Sequence, residues 1–254
     1  MKTIWTERTD STNSEALRRL GELPPRCVLA AREQTAGRGQ RGNSWFSEPG
    51  KNLTFSIVLR LGTAGQPFLP VSDTPWLNYL TATVVARFLS EAGVPCKIKW
   101  PNDIYVGDRS DARKICGILI ENRLEGKMLS AVVIGVGINV NQREFPQLVH
   151  VTSLSRCTGK EYDLEHCLDR LCDLFEEAWP LLLGDAAGRG RLFEAYSRQL
   201  FRKGEAAVYH DLLRDVVYTG VIEGVGPDGR LCVRDVDAGG QLRHYAFKEI
   251  SYVL

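Results

Sequence analysis

The segment from Glu33 to Phe46, EQTAGRGQRGNSWF, concentrates residues that could bind an anion. Arg38 and Arg41 could each hold a phosphate or carboxylate through two parallel hydrogen bonds. The glycines around them would let backbone N–H groups approach the same anion. The segment lacks the GK[ST] ending of a P-loop and the strand–GxGxxG–helix context of a dinucleotide fold. Spacing alone leaves three interpretations open: a ligand loop, an RGG-like contact to nucleic acid, and a plain exposed turn.

A second group, KWPNDIYVGDRSDARKICGIL, joins a turn to a lysine that enters an apolar strand. Asn102 and Asp103 follow a proline just past a predicted strand end. Lys114 precedes ICGIL, where an ammonium group needs an anionic partner unless it stays solvated at the strand end. Gly117 within this run suggests that a ligand or backbone comes close. Both a charged site and a solvated lysine fit these residues.

A third stretch, GVGINVN, ends an apolar strand with two glycines and two asparagines. Strand ends of this kind are common ligand positions in α/β sheets. A simple tight turn would explain the same residues.

Helices and strands must position these motifs. The first of them is a helix predicted within DSTNSEALRRLGEL. Its capping-box pattern runs from Thr12 to Glu15, and Gly21 should end it. CVLAA reads as a short buried strand, and the alternation in NLTFSIVLRL predicts a half-buried strand. Asp73 and Pro75 begin a long helix that Gly93 ends.

Three strands, CKIKW, KICGILIEN and LSAVVIGVGINV, should follow, and the last is apolar on both faces as a central strand would be. Two helices are predicted at about 163–183 and 189–201. After Gly204, short strands are broken by turns at 227–229 and 239–240, which predicts a small all-β barrel. We therefore expect an α/β (α+β) domain with a mixed sheet over 1–203 and a β-barrel domain over 204–254.

Composition excludes some classes of function. The chain has 254 residues and a net charge of +1, so no global field attracts nucleic acid or an acidic membrane. Seven cysteines without a CxxC pair, and a start without an apolar secretory segment, predict reduced thiols in a cytosolic protein. His166, Cys167 and Cys172 could suggest a metal site, but both cysteines belong to an apolar helical stripe that favours core packing. No apolar run is long enough to cross a bilayer.

Together the motifs resemble one family. STN (11–13), EQTAGRGQRGNSWFS (33–47), KWPND (99–103), RKICGIL (113–119) and GVGINVN (135–141) resemble, in this order and spacing, the biotin–protein ligases, also called biotin–[acetyl-CoA-carboxylase] ligases. The resemblance extends from about residue 3 to the end. It implies a catalytic α/β domain followed by an SH3-like barrel. Because the first motif begins at Ser11, the sequence is similar to the monofunctional class that lacks an N-terminal winged-helix domain.

The resemblance also implies a reaction. The carboxylate of biotin attacks the α-phosphate of ATP, giving biotinyl-5′-adenylate and pyrophosphate. A lysine of a biotin carboxyl-carrier protein then takes the biotin and releases AMP. Two anions must be held together, so cations and N–H donors are needed at the reacting centre, and Mg²⁺ would share the charge of the phosphates.

The resemblance further implies residue roles. The biotin pocket would be lined by Ser11, Thr12, Asn13, Gln34, Arg38, Gly39, Gln40, Lys114 and Gly117, with Thr12, Asn13 and Gln34 at the ureido ring. ATP and the adenylate would contact Arg38, Gln40, Arg41, Trp45, Asn102, Lys114 and Asn139, with Trp45 stacked on adenine. Lys114, Arg38 and Asp103 would be catalytic, and Asp103 would also orient the incoming lysine or contact Mg²⁺ through the phosphates.

Two departures from the family pattern affect these roles. This chain reads GRGQ where the family loop usually reads GRGR, so Gln40 replaces a common arginine. The stretch between Asp103 and Lys114 is a few residues longer than usual, and GDRSDAR should form a charged, exposed hairpin. The capping box raises a conflict as well, since the Thr12 hydroxyl cannot both cap a helix and serve biotin fully. We expect the glycine loop to be disordered when empty and ordered by biotin or its adenylate.

Other functions remain as alternatives. A lipoate–protein ligase would share the catalytic fold, but its RRxSGGG-type stretch and HD pair are absent from the sequence. A nucleic-acid-binding regulator or a non-catalytic biotin sensor would use the same loop without turnover. We expect no DNA or membrane partner, and an exposed edge strand could support a homodimer.

Overall fold

The computed structural model describes residues 1–63, 66–108, 111–146 and 148–253, with the backbone but not the side chain of Arg41. The N-terminal elements are β1 (Lys2–Thr9), α1 (Thr12–Arg18), β2 (Arg26–Gln34), β3 (Leu53–Arg60), β4 (Leu69–Pro70), α2 (Thr74–Glu91), β5 (Cys96–Lys99), β6 (Asp103–Val106), β7 (Arg113–Glu125) and β8 (Met128–Ile138). Three helices follow, α3 (Leu154–Thr158), α4 (Leu164–Leu183) and α5 (Ala186–Arg198). The C-terminal strands are β9 (Ala206–Asp211), β10 (Val216–Val225), β11 (Leu231–Asp235), β12 (Gln241–Tyr245) and β13 (Ile250–Tyr252).

The larger sheet is mixed, as predicted. Its strand order is β1-β2-β3-β8-β7-β6-β5, and β4 pairs with β8 outside this path. β1 and β2 are parallel, while the other neighbouring pairs are antiparallel. The parallel pair requires a crossover, which α1 supplies. The start of α1 therefore lies beside the end of β2.

Helices cover both faces of this sheet. Ala16 of α1 packs with Leu29, Val58 and Val133 on one face. On the other face, α2, α4 and α5 pack against alternate residues such as Val28 and Leu59 in the main core. Because successive strand residues point to opposite faces, β3 and β8 are buried on both sides.

Several boundaries differ from the predicted ones. The prediction of a half-buried β3 was wrong, because α1 covers the face that its polar residues occupy. Asp103 follows the end of β5, as predicted, but it also begins β6 and pairs across a hairpin with Lys99. The elements β1, β4, β6 and α3 were not predicted, and α5 begins and ends earlier than expected. The predicted hairpin GDRSDAR includes Arg109 and Ser110, which lie outside the described residues.

The C-terminal strands form a separate antiparallel sheet in the order β12-β11-β10-β9-β13. This confirms an all-β tail, but β12 and β13 end the sheet and do not pair with each other in the described part of the chain. Tyr79 Oη of α2 donates a 3.0 Å hydrogen bond to the Gly226 carbonyl. Trp100 Nε1 donates another, also 3.0 Å, to the Gly229 carbonyl. Both bonds fix the smaller sheet against the larger one.

The cysteines behave largely as predicted. Cys167 and Cys172 are buried in the main core, which confirms core packing for both. His166 lies on the exposed side of α4. All seven cysteines are free thiols, and Cys157 is exposed. None of the helices in the described residues is long and apolar enough to span a membrane.

Candidate active site

The first predicted motif, STN, lies where β1 passes into α1. Ser11 is the N-cap residue of α1, with extended backbone and no side-chain capping bond. The predicted capping box is therefore wrong, and the conflict over the Thr12 hydroxyl disappears. The Thr12 backbone N–H donates a 2.8 Å hydrogen bond to Gln34 Oε1. The parallel pairing of β1 and β2 makes this contact possible, because it sets Thr9 opposite Gln34.

Asn13 is held by hydrogen bonds at every polar atom of its side chain. Its Nδ2 donates to the Leu119 carbonyl at 3.1 Å and to Glu121 Oε2 at 2.9 Å. Its Oδ1 accepts from Ser56 Oγ at 2.6 Å. Both Nδ2 hydrogens are used, so the amide can offer a ligand only the second lone pair of Oδ1.

The hydroxyl groups of Thr12 and Ser56 extend this network. The two oxygens are 2.8 Å apart. The single Ser56 proton serves Asn13 Oδ1, which can only accept, so the Thr12 hydroxyl must donate to Ser56. Thr12 Oγ1 then presents lone pairs to a ligand. We call this group of Thr12, Asn13, Ser56 and Gln34 the ring end of the cavity.

Three glycines form a flat floor beside the ring end. A Cβ built on Gly135 would lie 2.3 Å from Asn13 Oδ1. One built on Gly137 would lie 2.4 Å from Trp45 Cε2, and one on Gly117 would lie 3.1 Å from Trp45 Cζ3. Such close approach is possible only without a side chain at these strand positions. The predicted close contact at Gly117 is made by Trp45 of the protein itself.

The opposite end of the cavity carries charge. Lys114 Nζ lies 2.8 Å from Asp103 Oδ1, so this lysine does have the carboxylate partner that its position requires. Lys99 Nζ lies 4.8 Å and 5.1 Å from the ring centroids of Tyr105 and Tyr252, and 3.4 Å from the Tyr105 hydroxyl. Burial lowers the pKa of the Lys99 ammonium, although Asp103 acts in the opposite direction. We call Lys99, Asp103 and Lys114 the charged end.

The glycine loop folds over the opening between the two ends. Backbone bonds from Gly39 N to Asn43 O (2.7 Å) and from Trp45 N to Gly37 O (2.8 Å) close it into a compact turn. Arg38 Nη2 lies 2.9 Å from Glu121 Oε1, and Nη1 lies 3.1 Å from Oε2. The Arg41 side chain lies outside the described part of the chain. Ordering of this loop by a ligand stays a prediction.

These groups surround one cavity of about 310 Å³. Its lining includes the predicted residues Ser11, Thr12, Asn13, Gln34, Arg38, Gly39, Gln40, Trp45, Asn102, Asp103, Lys114 and Gly117. Motifs far apart in the chain are thus brought together at one place. The volume falls at the lower end of the range for small-molecule sites.

The predicted adenine partner Asn139 is not among the residues lining this cavity in the described chain. It is 2% exposed, and its Nδ2 donates to the Thr152 carbonyl at 3.0 Å. Asn102 does reach the cavity, but its Nδ2 donates to the Ile118 carbonyl at 2.5 Å. These amides fix loops around the charged end, and their contacts with a nucleotide stay predictions.

Sequence reasoning missed several lining residues. Lys99 belongs to the quoted KWPND motif, but only the β5–β6 hairpin shows that it faces Asp103. Ser56 was hidden inside a strand pattern. Ser251 and Tyr252 come from β13 and Phe247 from the connection that precedes it, and nothing in their local pattern indicates that they reach the site. The rings of Trp100 and Phe247, whose centroids are 6.4 Å apart, link this part of the chain to the site. That contact can be recognised only when the fold is known.

Comparison with known proteins identifies the family. Residues 5–139 match the model of the biotin/lipoate A/B protein ligase family. A biotin–[acetyl-CoA-carboxylase] ligase of Paracoccus denitrificans is 31% identical over 235 residues, covering 89% of this chain and 92% of that relative. The chain belongs to the biotin/lipoate A/B protein ligase family.

Other members of the family extend this result. A bifunctional ligase/repressor BirA of Bacillus subtilis is 35% identical over 161 residues, which are 61% of this chain. The match covers 46% of that relative, so the chain spans about half of its length. A biotin protein ligase from Aquifex aeolicus, solved in complex with biotin and ATP, aligns with a TM-score of 0.75 at 25% identity over 98% of this chain and 97% of that one. The predicted relationship and the mixed-sheet fold are confirmed.

The family resemblance predicted a role for Asp103 at Mg²⁺. In the described residues, no group of three or more His, Cys, Asp or Glu side chains could hold a metal ion. One oxygen of Asp103 is already paired with Lys114. The residues present therefore do not form a magnesium site of their own. A contact through nucleotide phosphates stays a prediction, and no step below depends on it.

Proposed function

We propose that this protein is an ATP-dependent ligase that activates biotin as biotinyl-5′-adenylate and transfers it to a lysine of a biotin carboxyl-carrier protein. One observation supports this most strongly: the cavity joins a neutral ring end, whose hydrogen-bond donors and acceptors are fixed by a network, to a charged end. Biotin has the same division, with an uncharged ureido ring and a carboxylate. The ATP and biotin bound to the Aquifex relative are consistent with this assignment.

The ring end complements a cyclic urea. A urea offers two N–H donors and one carbonyl acceptor. Thr12 Oγ1 and Asn13 Oδ1 present lone pairs for the donors, because the network with Ser56 fixes their protons. Gln34 uses Oε1 on the Thr12 backbone, which leaves its Nε2 group to donate to the carbonyl. The acceptors and the donor are set before the ligand arrives.

The charged end suits the first chemical step. A carboxylate oxygen of biotin bonds to the α-phosphorus of ATP, and the bond from that phosphorus to the bridging oxygen breaks, so pyrophosphate leaves with the electron pair. Lys114, and beside it Lys99, reduce the repulsion between the two anions. Fixed cations of this kind contribute most where negative charge develops in the transition state.

The second step transfers the acyl group. The amine of the acceptor lysine bonds to the acyl carbon, the acyl–phosphate bond breaks, and AMP leaves with its electron pair while the amine loses a proton. Asp103 is the carboxylate at this end of the cavity, and its pairing with Lys114 fixes its orientation. We assign it the positioning of the incoming lysine. Trp45 closes the cavity above Gly137 and would stack on adenine with its outer face.

The rival substrate, lipoate, fits the ring end less well. A dithiolane ring has no N–H donors, so the lone pairs of Thr12 and Asn13 would lose their partners on binding. Sites built to hydrogen-bond a ligand strongly reject analogues that lack the matching groups. A non-catalytic biotin sensor would fill the same cavity without turnover.

ATP–pyrophosphate exchange separates these functions. Exchange should depend on biotin and should be absent with lipoate or with no acid added. Exchange driven by lipoate alone would reverse the substrate assignment. Tight biotin binding without exchange would identify the sensor. A second assay should show biotin transferred to a purified carboxyl-carrier domain, and not to the same domain with its acceptor lysine replaced.

Further features belong to the same proposal. These are an SH3-like closure of the C-terminal sheet, a domain division at 203/204, a cytosolic location and a homodimer. A continuous core contains residues of both sheets, so in this proposal the smaller sheet packs against the larger one across that division and completes the cavity.

A further inference from the structure

Glu121 connects the ring end of the cavity to Arg38 of the glycine loop although it is not among the residues that line the cavity. It lies on β7, on the same side of the strand as Gly117 and Leu119. One of its oxygens, Oε2, accepts from both Asn13 Nδ2 at 2.9 Å and Arg38 Nη1 at 3.1 Å. The other, Oε1, accepts from Arg38 Nη2 at 2.9 Å. One carboxylate therefore holds both the ring end and the loop arginine.

The contact fixes the orientation of the Arg38 guanidinium. Two parallel bonds to one carboxylate define the plane of the group. Nη1 also donates to Ser14 Oγ of α1 at 3.2 Å. A guanidinium has five N–H donors, and these bonds use three of them. The edge formed by Nε and the second Nη2 hydrogen has no partner in the described part of the chain, so it remains available to an anion.

We propose that Glu121 is a positioning residue that presents the free edge of Arg38 to the reacting acid group and links this placement to an occupied ring end. This rests on the proposed ligase function. A ureido N–H that donates to Asn13 Oδ1 adds one bond to an amide that is already bonded to Glu121, and so further limits the motion of the carboxylate that holds Arg38. Ring binding thus reduces the motion of the loop cation that shares this carboxylate with Asn13.

The link explains why a carboxylate stands next to a cation that must serve an anionic ligand. A carboxylate weakens the net positive charge, which alone would oppose catalysis. It also removes the rotational freedom of a long side chain, which is costly to restrict during the reaction. The Arg38 side chain is partly exposed, so solvent already screens part of its charge. The orientation of the guanidinium therefore matters more to the ligand than its total charge.

Glu121→Gln tests the inference. Glutamine keeps an acceptor for Asn13 Nδ2 but loses the charged fork to Arg38. We expect kcat for biotin-dependent pyrophosphate exchange to fall about 10- to 100-fold, with KM for biotin changed less than about threefold. Glu125→Gln, an exposed position on the same strand, should leave both constants unchanged. An unchanged kcat in Glu121→Gln would overturn the inference.

A double-mutant cycle shows whether Glu121 acts through Arg38. In an Arg38→Ala background, Glu121→Gln should have no further effect on kcat, because its partner is gone. Independent, additive losses would contradict the proposal. If Glu121→Gln does not fold, as judged by thermal unfolding, Glu121→Asp serves in the same cycle: it keeps the charge but draws it back by one methylene.

Limited trypsin digestion provides a readout that needs no activity. Without ligand, cleavage after Arg38 should be faster in Glu121→Gln than in wild type or Glu125→Gln, because the guanidinium is released. Equal rates of cleavage after Arg38 in these proteins would contradict the inference. Absence of biotin-dependent pyrophosphate exchange in the wild-type protein would instead contradict the proposed function, so the two failures can be distinguished.

Discussion

The ring end of the cavity and its charged end differ in how their polar groups are paired. At the ring end, Asn13 and Ser56 are buried, and the polar hydrogens of these two side chains have defined acceptors. At the charged end, Asp103 pairs with Lys114 and acts on Lys99 only through its charge, and both lysines remain partly exposed. A neutral ring can be recognised by a site that is complete beforehand, whereas a site for anions must keep cations only partly compensated until the anions arrive.

Loss of Lys114 is the strongest way to break this comparison. Lys114→Ala should lower biotin-dependent pyrophosphate exchange by about 10²–10³-fold, because it removes a fixed cation where charge develops. Biotin affinity, measured by calorimetry, should change much less, since the ring end is intact. Lys127→Ala, an exposed lysine at the β7–β8 turn, is the control. Exchange within about threefold of wild type would show that another group carries this charge.

Gly135→Ala tests the ring end. The added Cβ would meet Asn13 Oδ1 at 2.3 Å, and the amide cannot yield without breaking its bonds to Ser56 or Glu121. KM for biotin should rise by roughly tenfold or more, equivalent to about 1.4 kcal/mol or more, with KM for ATP nearly unchanged. Gly224→Ala, a strand position with open space around its Cβ, should change neither constant. A matching rise in both constants would mean that the two ends are not separable.

Ser56→Ala should have a smaller effect of the same kind. It removes the proton donor of Asn13 and the acceptor of the Thr12 hydroxyl, so Thr12 can rotate its proton toward the ligand. The expected loss is about 1 kcal/mol, or roughly fivefold in KM for biotin. Steady-state kinetics with Ser90→Ala, an exposed serine of α2, provide the comparison. An unchanged KM would show that the proton arrangement does not matter for binding.

Lys99→Met should produce the smallest change of the four variants, and the quantity that changes is the stability of the protein. The pKa of Lys99 is lowered by burial, so the unfolded chain binds more protons between the lowered and the ordinary lysine pKa. Lys99 therefore destabilises the fold most at pH values below its lowered pKa. This destabilisation decreases as the pH rises from the lowered pKa to the ordinary lysine pKa. Methionine should raise the melting temperature by about 1–3 °C at neutral pH and by less as the pH approaches the ordinary lysine pKa of about 10.4. A lower melting temperature at neutral pH would contradict this.

The sequence predicted the site better than its surroundings. Glycines and charged residues beside apolar strands are local signals, and the structure places Arg38, Lys114 and Gly117 on one cavity. Ser56 and Lys99 were missed because their function depends on strand register, which brings Ser56 opposite Gly135 and Lys99 opposite Asp103. Register is set by pairing between distant segments, and local patterns do not contain it.

The errors in the fold have a related cause. Alternation in β3 predicted one solvent-facing side, but α1 covers that side and converts its serine into part of the network. The capping-box pattern at Thr12 was locally sound, yet Gln34 of a neighbouring strand satisfies the Thr12 backbone N–H instead. In both places a tertiary contact replaces the local arrangement that the sequence favours.

The bare peptide surface of β8 has a consequence for ligand analogues. Positions 135 and 137 already hold glycine, the smallest residue, so no substitution at either position can create more room. Space for a bulkier ring has to come from shortening Asn13 on α1 or Trp45 on the loop. Redesign toward enlarged vitamin analogues should therefore begin on those two segments and leave the central strand untouched.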